Sequence, residues 1–160
     1  MKNCFIKYFV FILSSAVLVI IDQLTKNIAL NTLYDNEPIV LIDGILELTY
    51  VENRGAAFGI LQNRLIFFYI LTVIVFFVIF IYLYKLKLNQ HYLLIFISLI
   101  LIFSGAVGNF IDRLKNKYVV DFIYFKLIDF PVFNFADICI TIGCTILILS
   151  LIFVYKGEEI

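Results

Sequence analysis

Four apolar stretches dominate the chain, Tyr8 to Ile21, Leu65 to Tyr84, Tyr92 to Val107 and Ile138 to Tyr155, and polar residues gather between them. A bilayer core of roughly 30 Å needs about 20 helical residues at about 1.5 Å each. The second is long enough alone. The first and third must continue into polar sequence to cross, which places Asp22, Lys26, Gly108 and Asn109 at membrane depth or just outside it. The pattern predicts a mainly α membrane protein. It is expected to be a four-transmembrane-helix bundle with spans near 8–28, 65–84, 92–110 and 137–155, joined on one side by segments near 31–64 and 112–135.

The first of these connections carries its own period. Ile39 to Ile42, then Asp43-Gly44, then Ile45 to Tyr50 reads as two strands joined by a type I′ turn, a small β-hairpin on the membrane surface. It leads into Val51-Glu52-Asn53-Arg54-Gly55-Ala56-Ala57-Phe58-Gly59, where small residues permit close backbone approach. A tight turn before the second span explains the same residues equally well.

Composition agrees with the membrane reading. The chain is 64% hydrophobic with mean hydropathy +1.08, against roughly 45 to 50% apolar residues in soluble domains. Its 160 residues allow a single integral domain over 1–160 and no separate soluble core, so any active site must border the bilayer. Net charge is zero with no long basic run, which argues against nucleic acid.

Short connections favour cytoplasmic termini, although Lys2, Lys7, Lys85, Lys87 and Lys156 are outnumbered by basic residues on the other face. Lys2 and Lys7 before an apolar run resemble a signal peptide, but Ser14-Ser15-Ala16 is a poor cleavage site, so an uncleaved first span is expected. Cys139 and Cys144 are five apart on one expected helix and face different directions, so neither a disulfide nor a metal site follows.

Asp121 and Asp137 stand out because each is set among apolar residues, and a carboxylate near hydrocarbon costs roughly 2.5 to 3.5 kcal/mol on insertion scales. Two acids sharing a proton at the mouth of a membrane pocket could activate water, as aspartic proteases do. Taken singly, Asp121 reads as a solvated loop residue and Asp137 as a helix N-cap. The pair weakens both readings, since Asp121 lies in a strand-like run and Asn134 sits three residues before Asp137.

Asp22 and Lys26, four apart, fall on one helix face as an ion pair or a helix-end anchor. Asn109 and Arg113, likewise four apart, either point into the bundle or leave Arg113 snorkelling to headgroups. An inward Arg113 would hold one acid ionised. His91, beside Gln90 in a short connection, reads as a solvated interface residue.

Asp22-Gln23-Leu24-Thr25-Lys26, Asn53 to Phe58, Gly108 to Leu114, Val119 to Phe122 and Phe133 to Asp137 together resemble lipoprotein signal peptidase, also called signal peptidase II. Order, spacing and hydropathy agree from the first span to the fourth. The resemblance implies a four-helix bacterial inner-membrane enzyme with an extracytoplasmic β-cradle and its active site near that face. Such enzymes remove the signal peptide from diacylglyceryl-modified prolipoproteins by cutting on the N-terminal side of the lipidated Cys.

Carried onto matching positions, the catalytic pair is Asp121 and Asp137. Asn53, Gly55, Asn109, Arg113 and Asn134 contact the pair or the substrate, with Asp22 and Lys26 supporting them. The resemblance also implies inhibition by the cyclic peptide globomycin. Membrane lipid is the surrounding partner, a monomer is expected, and neither metal nor cofactor is needed. Two rivals are a transporter or channel subunit, which would place its acids mid-span, and an assembly factor, which would not need two acids with an Asn and an Arg converging.

Overall fold

The structure is a computed structural model that describes residues 2–55, 61–86 and 91–154. Among the described residues the chain runs α1 (Lys2–Leu33), β1 (Ile39–Ile42), β2 (Leu46–Asn53), α2 (Leu65–Lys85), α3 (Leu93–Asn116), β3 (Val119–Phe125) and α4 (Phe135–Leu149). A 3-10 turn at Lys126–Ile128 follows β3, and a π-helical turn at Ser150–Val154 extends α4. All four helices are long and apolar enough to cross a bilayer, the last counted through Phe153.

α1 and α3 run unbroken past the ends of their apolar stretches, so Asp22, Lys26, Asn109 and Asp112 are carried on helix rather than loop. α3 is the central post, with half of its most apolar window buried, and α1, α2 and α4 all pack on it. α2 buries only 11% of its window and turns its remaining apolar surface outward, which is the expected disposition toward lipid. α2 and α4 flank α3 and barely meet each other, leaving a slot between them.

One end of the bundle is apolar and aromatic. Phe11, Ile79, Leu83, Ile95, Phe96 and Leu99 form its buried cluster, and Phe11 packs against Phe80, Phe96 and Phe103. Here Lys7 is buried rather than at a headgroup, its Nζ donating to the carbonyls of Leu83 at 2.7 Å and Leu86 at 2.9 Å. These carbonyls end α2 and lack helical partners, so a cation there satisfies both hydrogen bonding and the helix dipole.

The opposite end carries an antiparallel sheet in the order β1-β2-β3. In the β1–β2 hairpin, Ile45 N–H donates to the Ile42 carbonyl at 3.0 Å across Asp43-Gly44. Gly44 has φ +68° while Asp43 keeps an ordinary negative φ, so the turn has the sign pattern of type II rather than the type I′ expected. A register irregularity between Val40 and Ile42 absorbs the mismatch with strand twist.

The sheet places the site. β2 pairs with β3 so that Val51 faces Asp121 and Asn53 faces Val119, which puts Asn53 diagonal to Asp121 on one face. On the other face Phe122 packs with Ala29 and Leu33 of α1. The segment before α4 clips onto β3, with Phe133 N–H and the Ile123 carbonyl 3.0 Å apart and Ile123 N–H and the Phe133 carbonyl 2.8 Å apart. That clip brings Asn134 and the start of α4 beside Asp121.

Candidate active site

Asp121 is 1% exposed, on a strand buried on both faces, and is not a solvated loop residue. Its Oδ2 accepts from Asn53 Nδ2 at 2.9 Å and its Oδ1 from Asn134 Nδ2 at 2.6 Å. Both donors are neutral. Burial first, and then the charge of Asp137, push Asp121 from 3.8 up to about 7, against the pull of the two amides.

Asp137 lies in the first turn of α4, but Asn134 is the N-cap. Asn134 Oδ1 accepts from Asp137 N–H at 3.0 Å, and Asp137 Oδ2 accepts from Asn134 N–H at 3.1 Å, a reciprocal capping box. Asp137 Oδ1 also accepts from Asn109 Nδ2 at 2.8 Å. Asn134 therefore bonds both acids, Asp121 through its side chain and Asp137 through its backbone.

Asn109 is oriented from behind. Its Oδ1 accepts from Lys26 Nζ at 2.9 Å and from Asn134 Nδ2 at 3.2 Å, so its own Nδ2 is left to face Asp137. Arg113 turns inward to the cavity beside the acids, one of the two dispositions its spacing allowed, and among the described residues no salt bridge joins it to them. Its guanidinium lies 4.3 Å from the Phe68 ring centre, and Nη2 donates to the Gly55 carbonyl at 3.1 Å. Gly55 N–H in turn donates to Asn53 Oδ1 at 2.9 Å, which fixes the Asn53 amide toward Asp121. Ala56 to Gly59 of the same run lie outside the described residues.

Asp121, Asp137, Asn53, Asn109, Arg113 and Gly55 all line one cavity of ≈ 710 Å³ in the slot between α2 and α4. Its remaining walls are largely apolar, from Leu71 and Val75 of α2 to Ile138 and Ile142 of α4. An apolar trough ending at two acids suits an extended chain with an apolar flank.

A family profile described as signal peptidase (SPase) II matches residues 14–153. The chain belongs to the signal peptidase II family. It is 47% identical over 131 residues to a lipoprotein signal peptidase of Streptococcus thermophilus, spanning 82% of this chain and 84% of that one. A lipoprotein signal peptidase of Brevibacillus brevis is 46% identical over 138 residues, 86% of this chain and 91% of the relative. A solved bacterial membrane enzyme, determined by the in meso method, superposes with a TM-score of 0.82 at 36% identity, covering 94% of each chain.

In this signal peptidase II chain Asp22 and Lys26 stay behind the cavity wall, with 1% and 3% exposure. They form the expected ion pair at 3.0 Å, but Lys26 has a second carboxylate, Asp112 of α3, also at 3.0 Å. Asp112 and Gln23 were not singled out by sequence reasoning. Asp112 is three residues after Asn109, so a helix continued through it puts both on one face, and that signal was present. Gly108 admits the pair, because a Cβ there would collide with Asp22 Oδ2.

Cys139 is buried and Cys144 partly buried, and both thiols are free. Among the described residues no group of three His, Cys, Asp or Glu side chains is arranged as a metal site. His91 is exposed, its ring centre 4.7 Å from that of Tyr92.

Proposed function

We propose that this membrane peptidase is an aspartic endopeptidase that removes the signal peptide from diacylglyceryl-modified prolipoproteins, with Asp121 and Asp137 as its catalytic pair. The observation that carries the reading is the bridge by Asn134, which bonds both acids where they face one cavity. Structural acids would not need a common hydrogen-bonding residue, a shared opening and an apolar approach.

The proton of the resting pair belongs on Asp121, whose burial disfavours charge. Asp137 then takes a proton from water as the water oxygen attacks the scissile carbonyl, while Asp121 gives its proton to the carbonyl oxygen. The tetrahedral diol collapses as Asp137 passes its proton to the leaving nitrogen and the C–N bond breaks. Asp121 recovers a proton from the diol hydroxyl, which restores the starting state. The scissile bond lies on the N-terminal side of the lipidated Cys. The acyl chains rest in lipid against the apolar flanks of α2 and α4.

The same reading puts the enzyme in the bacterial inner membrane as a monomer, with both termini cytoplasmic and the sheet extracytoplasmic. A globomycin-type cyclic peptide would compete for the cavity.

Asp121→Asn and Asp137→Asn keep side-chain size but cannot exchange the proton. Each is expected to lower turnover of a lipidated prolipoprotein by about 10³-fold or more, assayed in detergent with a chelator present, and the double variant should be little worse. Substantial turnover by either well-folded variant would return the acids to a structural role.

A further inference from the structure

Behind the cavity wall, two carboxylates share one ammonium. Lys26 Nζ lies 3.0 Å from Asp22 Oδ2 and 3.0 Å from Asp112 Oδ2, and all three residues are at least 97% buried. The Gln23 amide ties the acids again, at 2.9 Å to Asp112 Oδ1 and 3.2 Å to Asp22 Oδ2. What each carboxylate does with its remaining capacity is specific. Asp22 Oδ1 accepts the backbone N–H of Ala136 at 3.0 Å, and Asp112 Oδ2 accepts that of Val120 at 3.2 Å. Ala136 immediately precedes Asp137, and Val120 immediately precedes Asp121.

We propose that Asp22, Lys26 and Asp112 form a buried positioning triad that sets the separation of the two catalytic carboxylates through the backbone amides of Ala136 and Val120. It rests on the aspartyl reading above. β3 and α4 are successive elements already joined in front by the Phe133 clip and by Asn134, and a second reference behind the site fixes their separation as well as their contact. Lys26 supplies it, holding both tethers and also the Asn109 amide that faces Asp137.

Packing alone would not favour this cluster. Buried ions lose hydration that their mutual attraction only partly restores, and well-packed apolar residues of similar volume are often as stable or more so. Geometry is what charge adds here. The triad gives each tether a carboxylate acceptor and therefore a directional bond.

The test reads geometry apart from stability. A peptide with a secondary hydroxyl in place of the scissile amide must bond both catalytic carboxylates, so its inhibition constant reports their separation. In Asp112→Ala and Asp22→Ala, kcat per titrated active site is expected to fall tenfold or more, toward the about 10²-fold that a displacement near 1 Å can cost. KM for the lipidated substrate should stay within about threefold, and the inhibition constant should rise by the factor lost in kcat/KM.

A merely structural role would reduce the number of active sites and leave their kcat and inhibition constant at wild-type values, which would overturn the proposal. Where the Ala variants do not fold, Asp112→Glu keeps charge and acceptor but lengthens the tether by one methylene. It should weaken the inhibitor likewise, and an unchanged constant there would equally overturn it. Turnover by Asp121→Asn would instead sink the aspartyl reading, so the two failures are distinguishable.

Discussion

Asp121 carries a testable pH signature because burial, and then the charge of Asp137, raise its carboxyl against the pull of its two amide partners. Its carboxyl moves from 3.8 to about 7 on folding, so between those values the folded protein holds a proton that the unfolded chain has released. Native protein therefore binds the extra proton, and this residue's contribution to stability falls as pH rises through that window. Below pH 4 the contribution is fully present, and above about 7 it has gone. The Asp121→Asn substitution removes the titration. The difference in thermal midpoint between variant and parent should move in favour of the variant from pH 4 to 7 and stay level above it. A flat difference across that range would mean that Asp121 is not held protonated.

Among the elements, α1 has a polar anchor on α2 in Lys7, beside the apolar packing of Phe11. Lys7→Met removes the cation from the Leu83 and Leu86 carbonyls and leaves them buried, at a cost of about 1 to 3 kcal/mol. Thermal unfolding in detergent should show that loss, with turnover per folded molecule unchanged, since Lys7 lies at the end of the bundle away from the acids. The hairpin gives a second case. A Cβ at Gly44 meets no neighbour within 4 Å, so it is the left-handed backbone that opposes Gly44→Val, by about 1 kcal/mol or more. Gly44→Asn, which tolerates that conformation, should unfold closer to the parent temperature.

These elements also mark what was legible in the chain. Hydropathy located the four helices, and strand-like runs located β1, β2 and the environment of Asp121. Turn type was misread because Asp-Gly serves more than one turn, and the irregularity at Val40 to Ile42 belongs to the pairing rather than to the dipeptide. Asp112 was missed for a related reason. The sequence pattern counts it with the connection after α3, whereas the helix persists to Asn116 and turns it inward. The pairing of β2 with β3 joins residues 68 positions apart at Asn53 and Asp121, and the clip at Phe133 has no local signature at all. The clip brings the acids together and the β2–β3 pairing brings Asn53 to them, and no single-segment pattern encodes either.

For the whole molecule, the ends of the bundle make the topology measurable. With native cysteines removed, single cysteines at Asp35 and Lys117, beside the sheet, should react with an impermeant thiol reagent added outside intact cells. One at Gln90, which lies outside the described residues, should react only after permeabilisation. The reverse labelling would invert the orientation proposed for the active site. The slot between α2 and α4 has a further meaning for how substrate arrives. A trough whose walls are span residues is approached by travel within the sheet of lipid rather than from water, so the search for the acids takes place in two dimensions. The concentration that governs encounter is then the number of prolipoproteins per lipid. Dissolving more of the same substrate in the surrounding water leaves that ratio, and the traffic through the slot, where the membrane set it.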